Sequence, residues 1–328
     1  MQIALITPAG RGANNGNSNT AQRWARLLRQ LGHRVAMQLD WDGEPADLML
    51  ALHARRSHAS IERFAVAHPD RPLIVTLTGT DLYRDIRRDV AAQASLRYAT
   101  RLIVLQEMGL QELNLKLRAK GDVVYQSAWP IKRKRPLKRS FEVLVIGHLR
   151  EEKDPLRTAL ALQYLRGAIR VTHLGKGLDE TLAGQARALM RADPRYRWLG
   201  ARAHADVRRY LARARLLVIS SRMEGGANVV SEALAAGCPV VASDISGNIG
   251  MLGKDYAGYF KLEDERDLAR VLLRAQTDRA FYQELAAQCR ARRPAAVPDR
   301  SRALPGHAGQ CGGSTGTRRS GPGAGQRG

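Results

Sequence analysis

The sequence predicts an α/β protein built as two parallel-sheet domains facing each other across a cleft, and three observations carry that prediction. Short apolar runs of strand length alternate with amphipathic stretches along most of the chain, the pattern of sheets wrapped by helices. The alternation breaks at a basic block, Lys132-Arg133-Lys134-Arg135-Pro136-Leu137-Lys138-Arg139, and restarts at Phe141. A length of 328 residues gives each array enough chain for a core of its own. The implied domains are residues 1–130 and 141–293, joined by a basic, solvated linker over 131–140 and followed by a tail over 294–328.

In the first domain, strands are expected at 3–6, 34–37, 48–52, 73–77, 102–105 and 123–125, with helices at 19–31, 57–67, 89–99 and 107–113. Open α/β sheets bind ligands beyond the carboxyl ends of their strands, so the residues just after each strand carry the chemistry. After the first strand comes Thr7-Pro8-Ala9-Gly10-Arg11-Gly12-Ala13-Asn14-Asn15-Gly16-Asn17, a glycine-rich loop that leads into a helix. It has the look of a phosphate or sugar loop without the spacing of either standard nucleotide fingerprint, and Gly10, Gly12, Gly16 and Asn17 are its candidates. After the third strand, His53 stands with Arg55, Arg56 and Ser57, a set that could hold an anion; a lone histidine would otherwise be structural. After the fourth, Gly79 permits a tight turn, Thr80 follows, and Asp81 is a base, a hydroxyl acceptor or the cap of a short helix.

In the second domain, strands are expected at 141–146, 169–174, 197–199, 216–219, 240–242 and 258–260. The loop past the first of them holds His148, Arg150 and Lys153, three candidate cations for an anionic ligand. The most informative stretch runs from Ser220 to Ser243. There a buried-type strand leads through Arg222, Glu224, Gly225 and Gly226 into an Ala/Leu-rich helix that starts near Asn228 and Val229 and carries Glu232. The two carboxylates lie eight positions apart, one in the loop and one about two turns into the helix, where both can face one ligand. The two glycines let that ligand approach the backbone, and the free N–H groups of the helix start suit anionic oxygen. A nucleotide sugar fits such a site, with diphosphate on the amides and hydroxyls on the carboxylates.

This stretch resembles the E-x(7)-E signature of glycosyltransferase family 4, including the trailing E-A-x-A-x-G-x-P-V-x-A-S. The resemblance implies a GT-B fold of two Rossmann-like domains, with Glu224 on the donor sugar and Glu232 on the ribose. Family 4 enzymes carry G-R-L-x-x-x-K-G in the loop opening the second domain, where two cations clamp the diphosphate. Lys153 matches the lysine, His148 replaces the arginine, and Arg150 or a charged His148 is left to supply the second cation. His173-Leu174-Gly175-Lys176-Gly177 is similar to the loop that receives the nucleobase.

The segments ITPAG, LTGTDLYRDI, VLQ, YQSAWP, GHLREEKDP and SSRMEGGANVVSEALAAG, with the run from Asp47 to Ser57, narrow the resemblance to the selenosugar synthases of the selenoneine pathway, over about residues 1–293. That branch implies transfer of a sugar, chiefly N-acetylglucosamine, from its UDP derivative to selenophosphate. A carbon–selenium bond forms at the anomeric carbon and UDP leaves. The anionic nucleophile needs little base help, so His53, Arg55, Arg56 and Ser57 would hold it, while Asp81 orients a sugar hydroxyl. His53, Asp81 and Glu224 are then the candidate catalytic residues. No cofactor and no metal are expected, since GT-B enzymes work without one. An ordinary family 4 transferase acting on a hydroxyl acceptor is the alternative enzyme.

The formal charge of +22 raises nucleic acid as a partner and gives the alternative of another class, a basic nucleic-acid-binding protein. Residues 290–328 hold eight Arg and one acidic residue, and the remaining excess of about +15 is spread over many helices. With four Phe and four Trp in the whole chain, stacking platforms are scarce, and nucleic acid is not the expected partner. No apolar run reaches membrane-spanning length, and the start Met1-Gln2-Ile3-Ala4-Leu5-Ile6 lacks a signal-peptide pattern. Cys238, Cys289 and Cys311 share no metal-ligand spacing, so a reducing cytoplasm is the expected compartment. The oligomeric state is left open. After about residue 293 the composition turns to Gly, Pro, Ser and Arg, which reads as a disordered or frame-altered tail in place of the final bracing helix usual in GT-B enzymes.

Overall fold

The computed structural model describes residues 1–10, 16–136 and 139–296. Gly12, residues 137–138 of the linker and the tail from 297 to 328 lie outside the described residues. Two lobes form, each around a six-stranded sheet.

In the N-terminal lobe, β1 (Gln2–Ile6), β2 (Arg34–Gln38), β3 (Leu48–Leu52), β4 (Leu73–Leu77), β5 (Arg101–Val104) and β6 (Gly121–Val123) lie in the order β2-β1-β3-β4-β5-β6. Helices α1 (Gly16–Gln30), α2 (His58–Ala67), α3 (Ile86–Arg88), α4 (Val90–Tyr98) and α5 (Leu115–Arg118) connect them. In the C-terminal lobe, β7 (Phe141–Ile146), β8 (Ile169–Leu174), β9 (Tyr196–Trp198), β10 (Leu216–Ile219), β11 (Val240–Ser243) and β12 (Tyr259–Phe260) lie in the order β12-β11-β10-β7-β8-β9. Its helices are α6 (Arg157–Ala161), α7 (Glu180–Ala192), α8 (His204–Arg213), α9 (Asn228–Ala236), α10 (Ser246–Leu252), α11 (Glu265–Thr277) and α12 (Arg279–Ala296).

Every paired strand runs parallel to its neighbour. Parallel sheets are covered on both faces, which is why the central strands read as unbroken apolar runs. All four residues of Leu216–Ile219 are buried, and so are all four of Val240–Ser243. The same geometry brings the carboxyl ends of the strands in each sheet to one side. There the loop after β10 meets those after β4 and β5, with Gly225 against Thr78 and Gly226 against Leu105.

Three expectations change. The last strand of the first lobe is Gly121–Val123 and not 123–125, because Val104 pairs with Val123, and the exposed Val124 gives only its amide, the last ladder bond, to Val104 O (2.9 Å). The basic linker is packed and not merely solvated. Arg133 donates from Nη1 to Leu211 O (2.9 Å) and from Nη2 to Ala214 O (2.5 Å), satisfying carbonyls at the C-terminal end of α8. The Lys134 amide donates to Ala212 O (2.8 Å) beside them. Finally, a closing helix exists: α12 runs past the expected domain end at 293 to Ala296 and reaches the other lobe. Ala296 O accepts from the Ala128 amide (2.7 Å), and Arg292 Nη1 lies 3.7 Å from Glu107 Oε1.

Candidate active site

The C-terminal half of the site starts at β10, held between β7 and β11. Its chain continues into Ser220 and Ser221, both buried. Ser220 Oγ donates to Asp154 O (2.8 Å) and the Arg222 amide to Glu152 O (2.9 Å), so the loops after β7 and β10 are tied together. Asp154 stands where the family 4 pattern has glycine, and its φ of +40° is the left-handed conformation that glycine adopts most readily. Arg157 Nε holds its carboxylate at 2.8 Å.

This bracing sets Lys153 against Glu224. Lys153 Nζ bonds Glu224 Oε1, and Ser221 Oγ donates to the same oxygen at 2.6 Å. Glu224 is 8% exposed. One carboxylate oxygen thus receives two donors. Glu232 is buried on α9, where His204 Nε2, at the start of α8, lies 2.8 Å from its Oε1. Arg222 lies on the rim, paired with Glu151 (2.8 Å) and Glu263 (2.5 Å).

Helix α9 follows because its residues are mostly Ala, Leu and Val and because Gly237 ends it at φ +64°, where its N–H caps Ala233 O and Leu234 O. Its first residue, Asn228, faces the N-terminal lobe. Asn228 Nδ2 donates to Gly16 O and Thr20 Oγ1 (3.2 Å each), and Asn228 Oδ1 accepts from Arg23 Nη1 at 2.7 Å. Glycines make the approach possible. A Cβ on Gly225 would overlap the Thr78 carbonyl, and one on Gly226 would overlap Leu105 Cβ. The backbone these glycines admit therefore includes that of the opposite lobe.

On the N-terminal side, His53 is buried and adopts φ +74°. Its Nε2 lies 3.1 Å from Thr80 Oγ1, while its Nδ1 is 3.9 Å from Asp81 Oδ2, too far for a hydrogen bond. Burial, helped by the Arg56 and Arg55 charges, lowers the His53 pKa, against the opposing pull of Asp81 and Asp85. Asp81 is fully buried and receives three backbone amides: Ala54 N on Oδ2 (3.0 Å), and Thr78 N and Gly79 N on Oδ1 (2.9 Å each). Its carboxylate pins the turns after β3 and β4 together. Ser57 Oγ donates to Leu52 O (2.7 Å), Arg55 Nε pairs with Asp85 (3.0 Å), and Arg56 is exposed. Gly10 O accepts from Ser18 Oγ (3.1 Å), and Asn17 lies in the first turn of α1.

In the loop after β7, His148 Nδ1 accepts from the Lys176 amide (3.0 Å), and Arg150 is exposed. His173 is wholly buried between Tyr196 OH and Gly147 O, 2.9 Å from each, and desolvation lowers its pKa to about 4. It is a neutral strut under the 173–177 loop. Val229 is half-buried in the first turn of α9.

Several residues at the lobe junction gave no signal in the sequence: Arg23, His204, Ser221, Gln126 and Tyr83. Tyr83 is pushed up to about 12, mainly by burial, and hydrogen-bonds Ser246 of the other lobe and Gln106. Ser221, Tyr83 and Gln126 stood in quoted segments but were given no role there. Among the described residues, no group of three or more His, Cys, Asp or Glu is placed to hold a metal ion, and no helix is long and apolar enough to cross a membrane. A separate cavity of about 310 Å³ lies between α8, β7 and β8, with Lys134, Arg209 and Arg213 in its lining.

Residues 140–278 match the family model of glycosyl transferases, group 1. The matched region holds Lys153, Glu224 and Glu232. A curated relative, the teichuronic acid biosynthesis glycosyltransferase TuaC of Bacillus subtilis (strain 168), is 29% identical over 152 residues, 46% of this chain and 36% of the relative. The match thus spans about a third of that protein's length. Sucrose-phosphate synthase of Thermosynechococcus elongatus superposes with a TM-score of 0.75 at 16% identity, covering 90% of this chain and 94% of that one. HepE of Anabaena, solved with UDP-glucose, superposes with a TM-score of 0.69 at 16% identity over 89% and 94% of the two chains. A glycosyltransferase of Rickettsia africae gives 0.69 at 11% identity over 89% and 93%. These likenesses establish the GT-B fold that the sequence predicted.

Proposed function

We propose that the protein is a glycosyltransferase that takes its sugar from a UDP derivative. The observation that carries this reading is the largely buried Lys153–Glu224 pair beside the start of α9, with Glu232 buried on that helix. In the reading, Lys153 and the 225–228 amides take the pyrophosphate, with Arg150 and His148 flanking it. Glu232 takes ribose hydroxyls in place of His204, and Glu224 takes a hydroxyl of the transferred sugar. A cation and helix amides beside the pyrophosphate stabilise the charge that grows on UDP as the bond to the anomeric carbon breaks. Packed lobes exclude the water that would hydrolyse that centre. The UDP-glucose complex of HepE supports the choice of donor. Metal independence belongs to the reading, since a cation and helix amides already meet the leaving-group charge.

The acceptor of the proposal is selenophosphate and the sugar N-acetylglucosamine, which places the reaction in selenoneine biosynthesis. Two features support an anionic acceptor that needs no strong base. His53 has a pKa lowered by burial and lies within hydrogen-bond distance of the Thr80 hydroxyl, and Asp81, held by three amides, is wholly buried. The exposed Arg56 guanidinium, in the turn that follows His53, supplies a cation for the acceptor's charge. The test is incubation with UDP-N-acetylglucosamine plus selenophosphate, thiophosphate, a simple alcohol or no acceptor, following UDP release and product mass. UDP release that requires selenophosphate, with selenium in the sugar product, is expected. Release with the alcohol alone moves the assignment to a hydroxyl acceptor, and absence of both turnover and UDP binding overturns the transferase reading.

A further inference from the structure

Arg23 comes from α1 of the N-terminal lobe, yet its hydrogen bonds end at the C-terminal lobe's helix α9 and at the chain that joins the lobes. Its Nη1 donates to Asn228 Oδ1 (2.7 Å) and lies 3.3 Å from Gln126 Oε1. Gln126 Nε2 in turn donates to Thr20 Oγ1 (2.7 Å), and Ser231 Oγ on α9 donates to Gln126 O (2.8 Å). Arg23, Thr20, Gln126, Asn228 and Ser231 therefore form one connected polar network across the junction.

The network is electrostatically incomplete. The acceptors holding the guanidinium are neutral side-chain carbonyls, and burying a cation on neutral partners is costly. Burial lowers the Arg23 pKa, and the anion that opposes this is Glu232, the carboxylate assigned above to the ribose. Asn228 is the first residue of α9, so the guanidinium also stands at the helix start assigned to the pyrophosphate. A second anion at that position would give Arg23 the charge partner that its amide acceptors do not supply.

We propose that Arg23 is a positioning residue of the donor site supplied by the opposite lobe, so that a bound nucleoside diphosphate and closure of the two lobes stabilise each other. The inference rests on the donor reading above and adds a residue outside the matched domain. Asn228 and Gln126 are both met by Nη1 at the far end of the guanidinium, so the shorter lysine side chain keeps the charge but not the reach.

The test is calorimetric titration of the full chain with UDP at two salt concentrations, for the wild type, Arg23→Met, Arg23→Lys and the exposed control Arg34→Met. Arg23→Met is expected to bind UDP at least tenfold more weakly and with a shallower dependence on salt, because one ionic contact is gone. Arg23→Lys should lose about threefold to tenfold in affinity, and Arg34→Met should match the wild type. A purely structural role would shift the unfolding temperature and leave the salt dependence intact. Should Arg23→Met fail to fold, the loss in Arg23→Lys decides. UDP binding that is indifferent to both Arg23 variants overturns this inference alone, whereas failure of the wild type to bind UDP overturns the donor reading and the inference with it.

Discussion

Replacing Lys153 with methionine separates the stabilising and functional roles of the central ion pair. The side chain is 22% exposed and its partner Glu224 is 9% exposed, so the pair is largely but not wholly withdrawn from water. Removing one partner of a fully buried pair costs about 3–5 kcal/mol, because the other charge is stranded. Here Ser221 Oγ still donates to Glu224, and water can reach the vacated side, so a loss of about 1–3 kcal/mol is expected. The double variant Lys153→Met/Glu224→Gln should regain part of it, since no charge is then left buried. Function should not follow stability. A charge-assisted hydrogen bond to the leaving pyrophosphate, worth about 1.5–3 kcal/mol, corresponds to a loss of about 10- to 150-fold in turnover. The double variant should be at least as impaired as the single one. Thermal unfolding and continuous UDP-release measurements on the three proteins check both halves. Near-normal turnover in Lys153→Met, or turnover regained together with stability in the double variant, would refute the role assigned to the pair.

Three further outcomes are expected. His173 has its pKa lowered to about 4 from an ordinary 6.5, so the unfolded chain binds a proton that the native one rejects between those values. Stability should be complete above about pH 6.5 and fall by roughly 3 kcal/mol on acidification to pH 4 from this residue alone, and His173→Gln should flatten denaturation curves over that window. Gly225→Ala puts a Cβ onto the Thr78 carbonyl of the other lobe, so the lobes must separate; solution scattering should report a larger radius of gyration, with UDP affinity reduced about tenfold or more. Arg133→Met leaves Leu211 O and Ala214 O without their donor and should cost about 1–3 kcal/mol in thermal unfolding, with little change in UDP affinity because the linker end lies outside the site.

Much of this architecture was legible because parallel strands buried on both faces leave unbroken apolar runs: β1, β3, β4, β7, β8 and β10 lie within a residue of their expected positions. The edge strand β6 was misplaced because Val123-Val124-Tyr125 looks like a strand, while the ladder is fixed by pairing with β5, which composition does not encode. The reach of α12 was missed for a related reason. Its last turns are rich in Arg and Ala and lead into Gly-rich sequence, and what orders them is contact with Ala128 and Glu107 in the other lobe. Lys153, Glu224 and Glu232 were singled out because each stands in a short family 4 pattern, although Lys153 and Glu224 lie 71 positions apart. Arg23 and His204 stand in no such pattern, and only the fold brings them to Asn228 and Glu232. Asp81 shows the limit of residue type as evidence: a carboxylate after a strand looks like a base, and only the three amides around it identify an anchor.

The most direct test is a crystal structure of the full chain with UDP. The proposed donor site requires ribose hydroxyls within hydrogen-bond distance of Glu232, with His204 displaced, and pyrophosphate oxygens between Lys153 Nζ and the amides at the start of α9. UDP found instead in the cavity beside Arg209 and Arg213, with Lys153 and Glu224 still paired to each other, would contradict it.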